Sequence, residues 1–450
     1  MNSAETESLQ RERNMNARAL EIFAASQKPK KHLVISLTTL VLLTLCSNAA
    51  TAGVLINGAN QAGIIFTNTV ADSYTFTANT GDSINLRLGT TNFYGNLQLY
   101  GPTGALLETV GSYPVRDDLI AYTATNSGTF TVLVSSFVAA GAGTYELHLA
   151  QIPEAFIVPA GDEGGAMTNG GNYAGTITLG DLDMWTFSAN TGDSINLRLG
   201  TTNFYGNLQL FGPNGALLET VGSYPVRDDL IAYTATNSGT FTVLVSDVYG
   251  GETGTYALHL AQIPEAFIVP AGDEGGAMTN GGSSTGTITL GDLDMWTFTA
   301  CIGDLINLEL KTTNFYGSLR LFGPNGALLK TVGSYPVTDD LIAYTATNCG
   351  TFTVLVSDVY GGETGTYGLT ANGRYNELKL CLPVISGTNL ALNGVGGTNN
   401  AGFVLYSTTN IATPWALWTP VLTNHFDQFR VFNYTNHPAI PGEYFRFVVP

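Results

Sequence analysis

The sequence predicts an all-β protein of three tandem β-sandwich (jelly-roll-like) domains followed by a small C-terminal β domain. Residues 81–135 recur at 192–246 with two changes and, more loosely, at 303–357, always 111 positions apart. That period exceeds the roughly 20–50 residues of a solenoid repeat, so each copy is a whole domain. Short runs alternate apolar and polar residues, and the 53 glycines and 12% charged residues favour strands and tight turns.

The repeat divides the 450 residues into five parts. They are a signal peptide (1–52), module 1 (53–152), module 2 (153–263), module 3 (264–372) and a C-terminal module (373–450). The joint AQIPEAFIVPAGDEGGAMTNGG occurs at both 150–171 and 261–282. Its prolines favour extended backbone, which predicts stiff connectors and modules arranged like beads on a string.

The N-terminus has the pattern of an export signal. Lys28, Lys30 and Lys31 precede the apolar run 33–45, and the small residues Ala50-Thr51-Ala52 follow. The run is shorter than the roughly 20 residues of a membrane span. We therefore expect a secreted or cell-surface protein that is not an integral membrane protein.

Within module 2 the strand assignment follows the alternation. In SINLRLG, the side chains of Ile195, Leu197 and Leu199 are predicted to face inward and that of Arg198 outward. Gly212-Pro213-Asn214-Gly215 predicts a hairpin turn between two such runs.

The three copies differ at positions that this alternation assigns to water. Charge changes are cheap in water and costly in a core. The differences therefore predict exposed side chains at three positions: Arg87 and Arg198 become Glu309, Gln98 and Gln209 become Arg320, and Glu108 and Glu219 become Lys330.

Two cysteines enter module 3 together. Cys301 and Cys349 replace Asn190 and Ser238 of module 2, both in turn-like contexts. An exported protein permits a disulfide, so we expect these two to pair. Cys381 has no partner in this scheme and is predicted to be a small buried residue.

Paired aspartates make calcium the metal to consider. Asp181 and Asp183 lie two apart and share a strand face, and hard cations prefer carboxylate and carbonyl oxygens. The alternative is that these aspartates only blunt strand edges and cap turns. The candidate ligands are Asp181, Asp183, Asp228, Asp229 and Asp247 in module 2, and Asp292, Asp294, Asp339, Asp340 and Asp358 in module 3.

The remaining chemistry is sparse. The sequence has no nucleophile, zinc-protease or phosphate-loop motif, and His148 and His259 are predicted to be structural residues on strands. We therefore expect no enzyme activity. The net charge of −18 excludes a typical nucleic-acid-binding protein.

Aromatic pairs recur in TTNFYG, at 93–94, 204–205 and 315–316. We expect both rings of each pair to pack against a loop; the alternative is one exposed ring that stacks on a sugar or partner. The C-terminal module is richer in aromatic residues and is predicted to have its own core.

The repeats resemble the bacterial pre-peptidase C-terminal (PPC) domain. In module 2 the matching features are Gly180-Asp181-Leu182-Asp183-Met184-Trp185, the Gly212–Gly215 hairpin and the strands opening at Gly239-Thr240-Phe241 and Gly254-Thr255-Tyr256. The resemblance implies non-catalytic β-sandwiches of secreted proteins, often appended to peptidases, and similar sandwiches in collagenases bind calcium and collagen. We expect no peptidase domain in this chain, so the resemblance does not imply a role as a peptidase accessory.

Together these observations favour a non-catalytic secreted or surface protein that serves as a spacer or in adhesion through its repeated modules. The alternative is a calcium-assisted carbohydrate- or protein-binding accessory of secreted hydrolases or peptidases. Extracellular polysaccharide or a matrix protein would be the partner in either case.

Overall fold

The structure, a computed structural model, is all-β. It describes residues 50–67, 71–111, 113–139, 141–222, 224–225, 227–279, 281–333, 335–373, 379–380, 384–386, 389–395, 402–426, 431–436 and 442–448. Two predictions fall outside these residues: the export signal as far as residue 49, and Cys381. In the described residues we find no helix long and apolar enough to cross a bilayer.

Module 1 is a sandwich of a five-stranded and a four-stranded sheet, here called the front and back sheets. The front sheet has the order β1-β3-β8-β5-β6 and the back sheet β2-β9-β4-β7. The strands are β1 (Ala52–Val54), β2 (Asn60–Ile65), β3 (Asp72–Ala78), β4 (Ser83–Thr91), β5 (Gly95–Tyr100), β6 (Leu106–Val110), β7 (Asp117–Thr123), β8 (Gly128–Ser136) and β9 (Gly143–Ile152).

Module 2 repeats this topology, with front sheet β10-β12-β17-β14-β15 and back sheet β11-β18-β13-β16. Its strands are β10 (Gly164–Ala166), β11 (Asn172–Ile177), β12 (Asp183–Ala189), β13 (Ser194–Thr201), β14 (Gly206–Phe211), β15 (Leu217–Val221), β16 (Asp228–Thr234), β17 (Gly239–Asp247) and β18 (Gly254–Ile263).

Module 3 has the same two sheets, β19-β21-β26-β23-β24 and β20-β27-β22-β25. Its strands are β19 (Gly275–Ala277), β20 (Ser283–Ile288), β21 (Asp294–Ala300), β22 (Leu305–Thr313), β23 (Gly317–Phe322), β24 (Leu328–Val332), β25 (Asp339–Thr345), β26 (Gly350–Asp358) and β27 (Gly365–Gly373).

The C-terminal module has two smaller sheets and an aromatic cluster that includes Phe403, Phe426 and Phe432. Its elements are β28 (Lys379–Leu380), β29 (Val384–Ser386), β30 (Asn389–Val395), β31 (Gly402–Thr408), a 3-10 turn (Trp415–Leu417), β32 (Thr419–His425), β33 (Val431–Asn436) and β34 (Tyr444–Val448).

The predicted alternation places the core between the two sheets of each module. Ile195, Leu197 and Leu199 are fully buried, and Phe187 stacks on Phe241 with ring centroids 5.6 Å apart. The all-β sandwich prediction is confirmed.

The beads-on-a-string prediction is wrong, because the back sheet of one module packs on the front sheet of the next. Ile152 of module 1 is buried in one cluster with Met184 and Phe211 of module 2. Ile263 of module 2 is buried in the same way with Met295 and Phe322 of module 3. A second apolar layer therefore lies between successive modules, outside their own cores.

The predicted exposure of the variable charged positions fails for the same reason. Arg87 and Arg198 are each 2% exposed and Arg320 is 6% exposed. Strand alternation distinguishes the two faces of a sheet, but it does not show that a neighbouring module covers the outer face. Glu309 is half-buried, and Lys330 is exposed as predicted.

Cys301 and Cys349 are both disulfide-bonded. Ala300 pairs with Gly350 across β21 and β26, so the two cysteines lie opposite each other at the end of that ladder. In module 2, the Ser238 hydroxyl accepts a hydrogen bond from the Thr191 backbone N–H at the same place.

We expect reduction of this disulfide to destabilise module 3 selectively. Removing a native disulfide typically costs about 2–5 kcal/mol. The Cys301→Ser/Cys349→Ser variant should therefore show a lowered melting transition for module 3 and unchanged transitions for modules 1 and 2. Equal sensitivity of all three modules to reducing agent would contradict this.

Candidate functional site

Two clusters of carboxylates lie at equivalent places in modules 2 and 3. The first acidic cluster is Asp162, Glu163 and Asp183, and the second is Asp273, Glu274 and Asp294. In each, one ligand oxygen from every residue lies within 4.8 Å of the others. His259 and Asp292 form a further group with Asp273, adjoining the second cluster.

The connectors bring the first two carboxylates of each cluster to the sheet. Strand β10 runs parallel to β12 with Gly164 opposite Met184, so Asp162 and Glu163 arrive beside Asp183. Strand β19 pairs with β21 in the same register, which does the same for the second cluster.

The buried carboxylate of each cluster is only half satisfied. The Tyr256 hydroxyl donates to Asp183 Oδ2 at 2.7 Å, and the indole N–H of Trp185 donates to that hydroxyl oxygen at 3.0 Å. Asp183 is 1% exposed, yet none of the described residues donates a hydrogen bond to its Oδ1. Asp294 repeats this arrangement: the Tyr367 hydroxyl donates to Oδ2, and Oδ1 has no donor in the part of the chain that the structure describes.

Module 1 provides an internal comparison. Its equivalent carboxylate, Asp72, also accepts from a tyrosine, Tyr145, at Oδ2. Its Oδ1, however, accepts the backbone N–H of Thr51 at 2.5 Å, and register places Thr51 where Glu163 lies in module 2. In the uncleaved chain, a backbone N–H thus takes the place of the missing connector carboxylate.

The electrostatics of the clusters favour a bound positive charge. Burial, and then the negative charge of Asp181, raise the pKa of Asp183 to about 9. Burial and the charge of Asp292 raise the pKa of Asp294 to about 9. Burial also raises the pKa of Asp162 and of Glu163. Each cluster therefore holds either protons or a cation at neutral pH.

The carboxylate oxygens of each acidic cluster fit a hard cation such as calcium. Carboxylate oxygens are the ligands calcium prefers, and the unpartnered Oδ1 atoms of Asp183 and Asp294 lie among further carboxylates. Asp162, Glu163 and Asp183 would hold one ion and Asp273, Glu274 and Asp294 another. Each ion would offset most of the negative charge of its cluster and attach the connector to the front sheet.

The predicted convergence of all five aspartates of each module is wrong. Asp181 and Asp292 cap turns at the module junctions, accepting from Thr178 and Thr289. Asp228 pairs with the Arg198 guanidinium at 2.5 Å. The side chains of Asp247 and Asp358 accept the backbone N–H of Glu252 and Glu363. Among the described residues, none of these five aspartates joins an acidic cluster with Asp183 or Asp294.

The other three predicted ligands are also elsewhere. Asp229 and Asp340 are buried on the back-sheet edge strands, where burial and the adjacent aspartate raise the pKa of each carboxyl, that of Asp229 to about 7. Asp339 is exposed near Lys311. Alternation within a strand does not tell which sheet, and hence which cluster, an aspartate joins.

The histidines are structural, as predicted, but their place is the junction. The Nδ1 of His148 accepts the backbone N–H of Leu182 from module 2 at 3.2 Å. The Nδ1 of His259 accepts the N–H of Leu293 from module 3 at 3.1 Å, and burial lowers the pKa of His259 to about 4. At the second junction, a neutral His259 imidazole that accepts at Nδ1 is therefore part of the contact between modules.

A second surface feature recurs in all three modules. Phe93, Phe204 and Phe315 are buried, whereas the tyrosine after each is half-buried and packs edge-on against an exposed tyrosine of the next loop. We call each pair an aromatic shelf: Tyr94 and Tyr113, Tyr205 and Tyr224, Tyr316 and Tyr335, with ring centroids 4.7–4.8 Å apart. Both rings of each Phe-Tyr pair therefore pack as expected, but the tyrosine keeps part of its surface exposed.

The family comparison agrees with the topology. The profile of the bacterial pre-peptidase C-terminal domain matches residues 70–136 and 181–247. Two tandem segments of the chain match the PPC domain. Module 3 lies outside the matched residues, but its strands follow the same order as the two PPC repeats before it.

The chain also shows distant likenesses to solved structures. The periplasmic g-type lysozyme inhibitor PliG of Salmonella Typhimurium is 18% identical over 23% of this chain and 99% of its own, with a TM-score of 0.18. PliG of Aeromonas hydrophila is 13% identical with the same coverage and a TM-score of 0.19. A biofilm-associated protein BSP domain is 7% identical over 89% of this chain and 95% of its own, with a TM-score of 0.16. No curated protein matches the sequence.

Sequence reasoning missed the connector carboxylates of the PPC repeats. Asp162 and Glu163 recur as Asp273 and Glu274 in an otherwise loop-like joint. The available signal was that this pair of acids recurs near the start of modules 2 and 3 and is missing at the start of module 1. The strand that Asp162 and Glu163 join, β12, became evident only from its parallel pairing with β10.

Proposed function

We propose that this protein is exported and non-catalytic, and attaches to an extracellular polysaccharide through its repeated aromatic shelves. Support comes from one observation: the same pair of tyrosines is presented on each of three modules that pack directly on one another. Tyr113, Tyr224 and Tyr335 are each more than 60% exposed. PPC domains are non-catalytic modules of bacterial extracellular proteins, which supports the compartment.

The shelves suit a neutral sugar polymer. An exposed phenol ring offers an apolar face for a sugar ring and a hydroxyl for hydrogen bonding. Guanidinium groups stack on the inner tyrosine in two modules, Arg116 over Tyr94 and Arg227 over Tyr205, which holds that ring in place. Weak sites repeated on linked modules add avidity without any single tight contact.

The shelves are expected to act together. Replacing Tyr113, Tyr224 and Tyr335 by Ala should abolish binding on an array of immobilised polysaccharides, while one replacement alone should weaken it by about 10–100-fold through lost avidity. Leu106→Ala, at an exposed apolar residue away from the shelves, is the control. Binding that survives the triple replacement would contradict the proposal, and binding only to matrix proteins would replace the sugar with a peptide partner.

The acidic clusters favour a second candidate, a calcium-assisted binding accessory that works beside secreted hydrolases or peptidases. Such an accessory would bind through the same aromatic shelves, but its binding would require the cation. The same array repeated with a chelator separates the two functions, because a plain attachment protein retains its binding and a calcium-assisted one loses it.

A further inference from the structure

Each junction between modules is built from the same complementary pair of surfaces. At the second junction, Arg198 pairs with Asp228 on the back sheet of module 2, and its Nη1 donates to the Asp358 carbonyl of module 3 at 2.7 Å. The N–H of Gly291 donates to Asp228 Oδ2 at 3.0 Å. At the first junction, Gly180 donates to Asp117 Oδ2 at 3.1 Å in the same way.

Two glycines allow the modules to approach this closely. A Cβ at Gly200 would overlap the backbone of Leu290 and Gly291, and one at Gly89 would overlap Leu179 and Gly180. Neither Gly89 nor Gly200 has a positive φ, so close approach of the next module is what requires glycine there.

The back sheet of module 3 has lost this surface. Lys311 stands at the Gly200 position, Glu309 at the Arg198 position and Thr370 at the His259 position. The Lys311 side chain is 62% exposed and forms an ion pair with Glu309 at 2.6 Å. A lysine Cβ alone would meet the backbone of any module docked there as module 3 docks on module 2.

The front sheet of module 1 has lost the matching surface. Ser73 and Tyr100 stand where Met184 and Phe211 are buried at the first junction, and Ser136 stands at the Asp247 position. Ser73, Tyr100 and Ser136 are only partly buried. Both ends of the stack thus carry polar substitutions at positions that are junction contacts elsewhere.

We propose that these substitutions cap the stack, so that a second copy of this chain cannot dock head to tail on either end. The two junction surfaces are different and complementary, and a heterologous contact of this kind continues into an open filament unless its ends are blocked. Terminal modules with a polar outer face are the general solution in repeat proteins. The proposal rests on one observation: each of these substitutions lies at a position that belongs to a junction surface in the other modules.

The test is to remove the caps from the full chain. On the back sheet of module 3, the uncapped variant carries Glu309→Arg, Lys311→Gly and Thr370→His. On the front sheet of module 1, it carries Ser73→Met, Tyr100→Phe and Ser136→Asp. In addition, residues 66–71, which precede β3, are replaced by the equivalent segment of module 2, residues 178–182. In sedimentation velocity the wild type should stay monomeric, and the uncapped variant should form species of two or more chains that increase with concentration. Restoring Lys311 alone should return it to a monomer, and Lys330→Glu, at an exposed charge outside the junction surface, should leave the wild type monomeric.

Two results would overturn the proposal: an uncapped variant that melts as the wild type does and stays monomeric, or a wild type that itself associates through these faces. A reverse variant guards against misfolding of the uncapped chain. Gly200→Lys should separate modules 2 and 3 and open the connector 264–274 to limited proteolysis. Gly368→Lys, on the corresponding back-sheet face of module 3, where a Cβ would meet none of the described residues within 4 Å, should not. Equal cleavage of both variants would also reject the junction role.

Discussion

Replacing Arg198 by Met should lower the free energy of unfolding of the stacked modules by about 3–5 kcal/mol. Removing one partner of a buried ion pair leaves the other charge buried and uncompensated. Asp228 would keep the Gly291 N–H as a donor but lose the guanidinium, and module 3 would lose the hydrogen bond to its Asp358 carbonyl. Urea denaturation followed by tryptophan fluorescence measures the loss.

Module 3 offers a matched control at the same strand position. Glu309→Met removes a side chain whose partner, Lys311, is largely exposed, so the loss of stability should be far smaller than that of Arg198→Met. Arg198→Met combined with Asp228→Asn should recover most of the stability, because no unpaired charge remains. An Arg198→Met variant as stable as the Glu309→Met variant would show that the buried pair does not hold the junction.

In the presence of a chelator, the stability of modules 2 and 3 should fall as the pH rises from about 5 to 9, and calcium should reverse the loss. The pKa of Asp183 and of Asp294 is about 9 in the fold, against an ordinary value of 3.8. The folded state therefore holds protons that the unfolded chain releases. The stabilising contribution is complete below pH 3.8 and is lost as the pH rises through 9.

Calcium should compete with these protons. At 100 times its dissociation constant it adds about 2.7 kcal/mol to the free energy of unfolding, and the gain should grow with pH as the carboxylates ionise. Thermal melts at pH 5 and pH 8, with and without calcium, measure both effects. Asp183→Asn with Asp294→Asn should remove them, whereas Asp72→Asn in module 1 should leave the calcium response intact. A melting temperature that calcium does not change at pH 8 would reject the site.

The sequence predicted the contents of each module better than the contacts between them. Period-two alternation identified the buried faces of strands such as β13, because Ile195, Leu197 and Leu199 all project to one side. The outer face looked solvent-exposed, since Arg198 is polar and a polar residue facing a neighbour has the same alternation as one facing water. The difference is visible only when Gly291 and Asp358 are seen to meet it.

The acidic clusters illustrate the same limit. Asp181 and Asp183 were recognised as a pair on one strand, but the three-residue strand β10 is too short to predict from its sequence GGA. Without that strand, nothing assigned Asp162 and Glu163 to Asp183 rather than to solvent. Residues separated by a connector are brought together by pairing register, which local pattern does not encode.

The parallel pairing of each connector with the following front sheet has a mechanical consequence. If the chain is tethered at one end and pulled at the other, tension enters module 3 along β19, nearly in line with its hydrogen-bonded neighbour β21. Tension along these two parallel strands loads all the backbone hydrogen bonds between them at once, rather than one after another. A cation bridging Asp273 and Asp294 would add a further crosslink at the point where the load enters, so the anchorage would be stronger in calcium-rich surroundings than in calcium-poor ones.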